Sequence, residues 1–171
     1  TWINGDMVAD TELVKVLTYN AYDGLEWLED LGMEFYDEIG QGAGSLWQRT
    51  HTSKMAMGTG MISTYATALV DYADQITLYN EATATDLVLE DGKVVGVVAT
   101  DNHNGSSFTI SCADGAVIST GGFAANSKMV QDNNDTGKWP DLSSVATTNR
   151  FSCSQGDGIT MASAAGCSLT D

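Results

Sequence analysis

Three stretches of the chain carry residues whose types could do chemistry. Ala116-Val-Ile-Ser-Thr-Gly-Gly-Phe123 begins with four small or apolar residues that predict a short buried strand. Thr120, Gly121 and Gly122 then remove side-chain bulk at its C-terminal end. In an open α/β sheet this is where ligands bind, and glycines there let the backbone approach a phosphate or a ring closely. Taken alone, a Thr-Gly-Gly after an apolar run is equally an ordinary turn. The second stretch is Gln155-Gly-Asp-Gly158, with Ile159, Ala162, Ala165 and Gly166 after it. Asp157 stands at the start of a predicted helix, where a carboxylate either caps the helix or accepts a hydrogen bond from a hydroxyl of a bound ligand. Spacing leaves both roles open. The third is Arg49-Thr-His51 with Lys54, set among Gly40, Gly42, Gly44, Gly58 and Gly60. It holds three of the nine Lys, Arg and His residues (seven Lys and Arg plus two His). These cations either face an anionic ligand or a flavin, or form a solvated loop, which residue type alone favours. His51 by itself is equally a structural histidine.

The elements that must position these residues follow from hydrophobic periodicity. Residues 10–31 predict a helix capped by Asp10, with Val14, Leu17, Ala21, Leu25 and Leu28 on one core-facing side, a loosening at Gly24 and a stop at Gly32. Gly60 to Ala73 predicts a second helix, with Ile62, Tyr65, Ala66, Leu69 and Ala73 on one face. A β series follows. Ile76–Asn80 reads as a short strand and Thr83–Leu89 as another. Asp91-Gly92 turns the chain into Val94–Thr100, and Asn104-Gly105 turns it into Ser107–Cys112, which gives a three-stranded antiparallel meander. The meander is then the crossover between a buried parallel pair, 76–80 and 116–119. From Phe123 to Arg150 the chain is polar and turn-rich. The fold class expected is α/β, or α+β within these residues.

Charge excludes some functions. Seven basic against 23 acidic residues give a net charge of −16, a field that repels nucleic acid and anionic lipid because both require neutralisation by Lys or Arg. No apolar run approaches the roughly 18 residues a membrane span needs, so direct membrane insertion is not expected. Cys112, Cys153 and Cys167 have neither zinc nor disulfide spacing, so no metal site is expected, and Cys112 and Cys167 are expected to be small buried hydrophobes.

In chain order, Gly92-Lys-Val-Val-Gly-Val, Ala116-Val-Ile-Ser-Thr-Gly-Gly-Phe-Ala-Ala-Asn126, Thr148-Asn149 and Gly156-Asp-Gly-Ile-Thr-Met-Ala-Ser-Ala-Ala-Gly166 resemble the FAD domain of the fumarate reductase/succinate dehydrogenase flavoproteins. The likeness is to the soluble, flavocytochrome-c-like fumarate reductases and the related urocanate reductases. The opening helix with Trp27-Leu28 and Leu31-Gly32, followed by Arg49-Thr-His51, resembles that family's helix and Arg-x-His loop, so the likeness extends over the whole chain. Ser119 stands where the family usually has Ala.

The resemblance implies FAD as cofactor. It implies that the backbone at Thr83 and Ala84 passes the adenine end, that Thr120, Gly121 and Gly122 lie near the phosphates and ribose, and that Asp157 and Gly158 meet the flavin side with Asn149 close by. It also implies a partial Rossmann-like fold. The Gly-x-Gly-x-x-Gly loop that opens such domains, the His-Pro-Thr segment and the capping domain with its catalytic arginine are not among these residues. Residues 1–171 are therefore expected to be a central section of the domain, one that folds but holds FAD weakly or not at all if expressed alone. No catalytic residue is assigned. The activity implied is reduction of an activated C=C bond in a small unsaturated acid by hydride from flavin N5. Electrons would come from a haem domain, a bound FMN or a quinol-linked partner. A 3-ketosteroid dehydrogenase-like enzyme is the neighbouring alternative, and a non-catalytic acidic α+β binding module is the alternative of another class. Bacterial relatives of this kind are both exported and cytoplasmic, so the compartment is left open.

Overall fold

The structure is a computed structural model that describes residues 1–134, 140–142 and 153–168. The chain divides into two compact units, Thr1–Leu78 and Tyr79–Asp171.

The first unit is helical. After a 3-10 turn at Ile3–Gly5 come α1 (Thr11–Tyr19), α2 (Ala21–Asp30) and α3 (Thr59–Asp71). Asp10 caps α1 as expected: its carboxylate accepts from the backbone N–H groups of Glu12, at 2.8 Å, and Leu13, at 3.4 Å. The single predicted helix over 10–31 is two helices, and the break lies at Asn20, not at Gly24. The Asn20 side-chain amide donates to the Val16 carbonyl at 2.7 Å, where its own backbone N–H also points. That local bond competes with helix propagation. Gly32 ends α2 at φ +92°, a left-handed value suited to glycine.

The face predicted to pack is only partly covered. Val14, Leu25 and Leu28 are half-buried, whereas Leu17 is 64% exposed and neither helix contains a buried residue. Glu26, Glu29 and Asp30 crowd the exposed side of α2. The Glu26 carboxylate, by hydrogen bond and by charge, pushes the Tyr22 phenol above its ordinary value. Packing concentrates around α3. Trp27 meets Tyr65 with ring centroids 6.1 Å apart, Met33 is buried, and Gly60 and Thr64 are the buried positions of α3. A side chain at Gly60 would run into Ser53, so glycine lets the start of α3 lie against the preceding loop.

The second unit is built on the antiparallel meander: β1 (Ala82–Glu90), β2 (Lys93–Asp101) and β3 (Ser107–Ser111), in the order β1-β2-β3. Asp91 at φ +50° and Gly92 at φ +77° form the tight turn expected of Asp-Gly, with Glu90 opposite Lys93. The second turn is longer than Asn104-Gly105 alone. Asp101 accepts the His103 N–H at 2.8 Å and an Asn104 amide hydrogen bond at 3.0 Å, and the Asp101 backbone N–H donates to Ser106. Ala99 is the buried centre of the sheet.

Two helices follow, α4 (Ser127–Asp132) and α5 (Asp157–Ala164). The first was not expected from the polar sequence after Phe123. The parallel pair is absent: among the described residues neither 76–80 nor 116–119 is a strand, and the one sheet is the meander. Strand geometry requires a ladder partner for alternate N–H and C=O groups, and neither segment has one there. Cys112 is half-buried and Cys167 exposed, so the second is not the core residue expected. No helix among the described residues is long and apolar enough to cross a membrane, and no cluster of potential metal ligands occurs among them.

Candidate functional site

The cation-bearing loop is positioned by two isolated antiparallel bridges, Phe35 with Ser53 and Gly40 with Thr50. The backbone N–H groups of Arg49 and Thr50 both donate to the Gly40 carbonyl at 2.9 Å. Each cation has a local contact. Lys54 Nζ pairs with Glu34 at 3.2 Å, Arg49 reaches the Thr1 hydroxyl at 3.5 Å, and His51 sits edge-on to the Phe35 ring with centroids 6.2 Å apart. All three are exposed.

The glycine-bearing segments behave differently. Here the structure brings together the two motifs that the sequence holds more than thirty positions apart. Gly158, in the first turn of α5, is buried, and a β-carbon there would strike the Thr120 hydroxyl and the Ile118 side chain. Gly156, also buried, is held at φ +87°, where a β-carbon would meet Met129 and Phe123. Only glycine satisfies both the backbone angle and the space at that point. Gly121 adopts φ +77° beside Ser154, and Gly122 is exposed with open space around it. The result is a cradle in which the uncovered main chain of 120–122 adjoins the N-terminus of α5.

Asp157 is the first residue of α5; the cap is Gly156, and no side chain caps the helix. The carboxylate is exposed and has no hydrogen-bond or ion-pair partner among the described residues. Of the two roles open to Asp157, capping by hydrogen bond is therefore excluded. A first-turn carboxylate still gains from the helix dipole, about 0.3–1 kcal/mol at an exposed position.

Hydrogen bonds fasten this cradle. The Ala125 N–H donates to the Ser154 carbonyl at 3.1 Å. Asn126 accepts the Met129 N–H on Oδ1 at 3.0 Å, capping α4, and donates from Nδ2 to the Gln155 carbonyl at 3.0 Å. Met129 and Ser154 carry no local signal in the sequence; Asn126 closes the Ala116–Asn126 motif, but nothing in the sequence reveals its bonding.

Thr83 and Ala84 lie in β1, opposite Thr100 and Ala99, and the Thr83 hydroxyl donates to the Asn102 side chain at 3.0 Å. A register shift follows between Ala84 and Asp86. The other half of β1 faces α5 across an open cavity of about 240 Å³, lined by Asp86, Leu87, Leu89, Met161, Ala164 and Ala165. The structure thus gathers Thr120, Gly121, Gly122, Asp157 and Gly158 at one place and keeps Thr83 and Ala84 in the sheet. Asn149 lies outside the described residues.

A glycine segment with uncovered backbone, beside a helix N-terminus bearing an exposed carboxylate, suits a long polar ligand with phosphate and hydroxyl groups. These are the groups of a dinucleotide. The chain belongs to the FAD binding domain family, which matches residues 1–171, and its cofactor is FAD. Among characterised proteins it is similar to the NADH:acrylate oxidoreductase of Vibrio harveyi, 29% identical over 171 residues, covering 99% of this chain and 16% of that protein. It is also similar to the probable fumarate reductase Ifc3 of Shewanella frigidimarina, 29% identical over 164 residues, covering 95% of this chain and 26% of that one. Among solved structures, the open conformation of a flavocytochrome c3 fumarate reductase superposes with a TM-score of 0.83 at 28% identity, over 99% of this chain and 28% of the other. Mycobacterium smegmatis Sdh1 in complex with UQ1 shares the fold, with a TM-score of 0.77 at 19% identity over 96% of this chain and 27% of the other. The chain thus spans 16% to 28% of the length of these proteins.

Proposed function

We propose that this chain forms the central, cofactor-cradling section of an FAD-dependent oxidoreductase that reduces an activated C=C bond in a small unsaturated acid. The observation that carries the reading is the meeting of the Thr120-Gly121-Gly122 exit with the Gly156-Asp157-Gly158 turn, in a chain matched from end to end by an FAD binding domain. Thr120, Gly121 and Gly122 hold the phosphate and ribose portion through main-chain N–H groups. The Asp157 carboxylate accepts from a hydroxyl on the flavin side, and Gly158 keeps the helix close enough for it to do so. Thr83 and Ala84 pass the adenine end, and Asn149 stands near the flavin.

Bound FAD supplies a hydride to the alkene. The part played by these residues is to bind and orient, not to exchange protons with substrate; no catalytic acid is assigned among them. Electrons enter from a haem domain, a bound FMN or a quinol-linked partner. Two substrate classes have support from relatives. A dicarboxylate follows from the fumarate reductases, and a monocarboxylate from the acrylate oxidoreductase, which is equally similar in sequence.

The test is the absorbance spectrum of the full-length protein, followed by reoxidation of its reduced flavin with fumarate, acrylate, urocanate and a 3-ketosteroid in turn. Oxidation by one of the three acids is expected and names the substrate group. Oxidation by the steroid alone would move the assignment to a ketosteroid dehydrogenase-like enzyme. A protein without flavin would end the reading altogether. A companion variant, Asp157→Ala, is expected to lower flavin retention; unchanged flavin content would leave Asp157 only its favourable place in the helix dipole.

A further inference from the structure

We infer that Asn126 is a positioning residue for the cofactor cradle: its amide clamps the 120–126 segment onto the turn before α5. The inference rests on the functional reading above and extends it to a residue outside the glycine motifs. The cradle has two walls that are distant in sequence, and the hydrogen bonds that join them include Ala125 N–H to Ser154 O at 3.1 Å and Asn126 Nδ2 to Gln155 O at 3.0 Å. The second is made by a side chain, so it can be removed without altering the backbone.

Asn126 is half-buried and engages both ends of its amide. Oδ1 accepts the Met129 N–H at 3.0 Å, and the Asn126 backbone carbonyl accepts the Val130 N–H at 2.9 Å, which fixes the start of α4. The Asn126 backbone N–H donates to the Phe123 carbonyl at 2.8 Å, closing the turn that leads out of Gly121-Gly122. One residue therefore sets three things: the exit turn, the start of α4, and the distance to the Gln155 carbonyl one residue before Gly156. Phe123 and Met129, which α4 and the turn hold in place, are the side chains that a β-carbon at Gly156 would strike. A side chain with only an acceptor would keep α4 capped and lose the clamp. Asparagine supplies both a donor and an acceptor at this position.

That asymmetry makes the idea testable. Asn126→Asp keeps an acceptor for the Met129 N–H but sets a carboxylate oxygen against the Gln155 carbonyl. Asn126→Ser keeps a capping oxygen too short to reach Gln155 and adds no charge, so it serves if the aspartate variant does not accumulate. In the full-length protein two quantities are measured: hydrogen exchange of peptides covering Ala125 and Met129, and the dissociation constant for FAD. Both variants should exchange faster at Ala125, stay unchanged at Met129, and bind FAD on the order of fivefold to tenfold more weakly, the effect of one lost hydrogen bond.

Two results overturn the inference: unchanged exchange at Ala125, or faster exchange there with unaltered FAD affinity. A wild-type protein that binds no FAD overturns the functional reading, and the positioning role with it. The mechanical clamp would still be judged on Ala125 exchange alone, so the two failures are told apart.

Discussion

The loop that carries Arg49, His51 and Lys54 and the cradle that carries Gly121, Asp157 and Gly158 are both glycine-rich, yet they solve opposite problems. In the loop, side chains find partners nearby: Lys54 with Glu34, His51 with Phe35, Arg49 with Thr1. In the cradle the backbone is fixed by close packing at Gly156 and Gly158 and by hydrogen bonds from Ala125 and Asn126, while the Asp157 carboxylate has no partner among the described residues. Of these three contacts only the one from Lys54 is to a charged partner. Under the function proposed above, a backbone fixed by packing beside an exposed carboxylate is the arrangement that would receive the cofactor. The contrast shows that residue type is a poor guide to a binding site unless the partners of each residue are known. Residue type alone favours a solvated loop for Arg49, His51 and Lys54, and in the cradle it is the glycine contacts that bring the two motifs together.

The largest effect that would break this contrast comes from filling the cradle. Gly158→Val places its side chain against Thr120 and Ile118. Overpacking of this kind costs about 1–3 kcal/mol, and it pushes α5 away from the 118–120 segment. The expected outcome in the full-length protein is a lower melting temperature together with loss of most bound flavin. Full flavin content in this variant would mean that the approach of α5 to Thr120 has no bearing on the cofactor.

A sharper comparison sets Gly156 against Gly122. Gly156→Ala must accept φ +87° and a collision with Met129, whereas Gly122 has neither a left-handed backbone nor a neighbour within 4 Å. The first substitution is expected to cost about 1–3 kcal/mol. The second is expected to change stability by less than about 0.5 kcal/mol while still weakening FAD, because its methyl group covers main chain that a phosphate or ribose approaches. Titration of FAD into both variants, alongside thermal melts, separates the two. Equal FAD affinity for Gly122→Ala and wild type would remove Gly122 from the site.

How far these features can be read from the sequence depends on the range of the interaction responsible. The meander is legible because its first turn is made locally, by Asp91 and Gly92 at left-handed angles, and the caps at Asp10 and Gly32 are legible for the same reason. The break at Asn20 is less so. Helix propensity points to Gly24, but the Asn20 side chain captures the Val16 carbonyl and wins. The apolar runs 76–80 and 116–119 look like strands because side chains set the pattern, whereas a strand exists only where another backbone pairs with it. Thr120, Gly121, Asp157 and Gly158 stand out by residue type and position, the resemblance gives them their roles, and their convergence on one place is a tertiary fact. The clamp from Asn126 to Gln155 crosses 29 positions and leaves no periodic trace.

Asp10→Ala tests the first unit without touching the cradle. It removes the acceptor for the Glu12 and Leu13 N–H groups and should cost about 1 kcal/mol, read as faster hydrogen exchange across α1. Flavin content should not move, since the cap serves a helix and not the cofactor. A fall in flavin content comparable to that of Asp157→Ala would link α1 to the site.

The smallest effect belongs to Lys54, and it bears most directly on whether the cation loop is a site at all. Lys54 and Glu34 pair at 3.2 Å with their side chains 49% and 73% exposed. An exposed pair of this kind contributes about 0–1 kcal/mol and is screened by salt. If that pairing is its whole role, Lys54→Ala should shift the melting temperature by no more than Glu34→Ala does, and raising the salt should erase both shifts. Reoxidation of reduced flavin by the unsaturated acid should then show an unchanged KM. If Lys54 instead binds the acid's carboxylate, Lys54→Ala raises KM while Glu34→Ala, which frees the ammonium group, leaves it equal or lowers it. Opposite movements of KM in the two variants would show that Lys54 contacts the substrate.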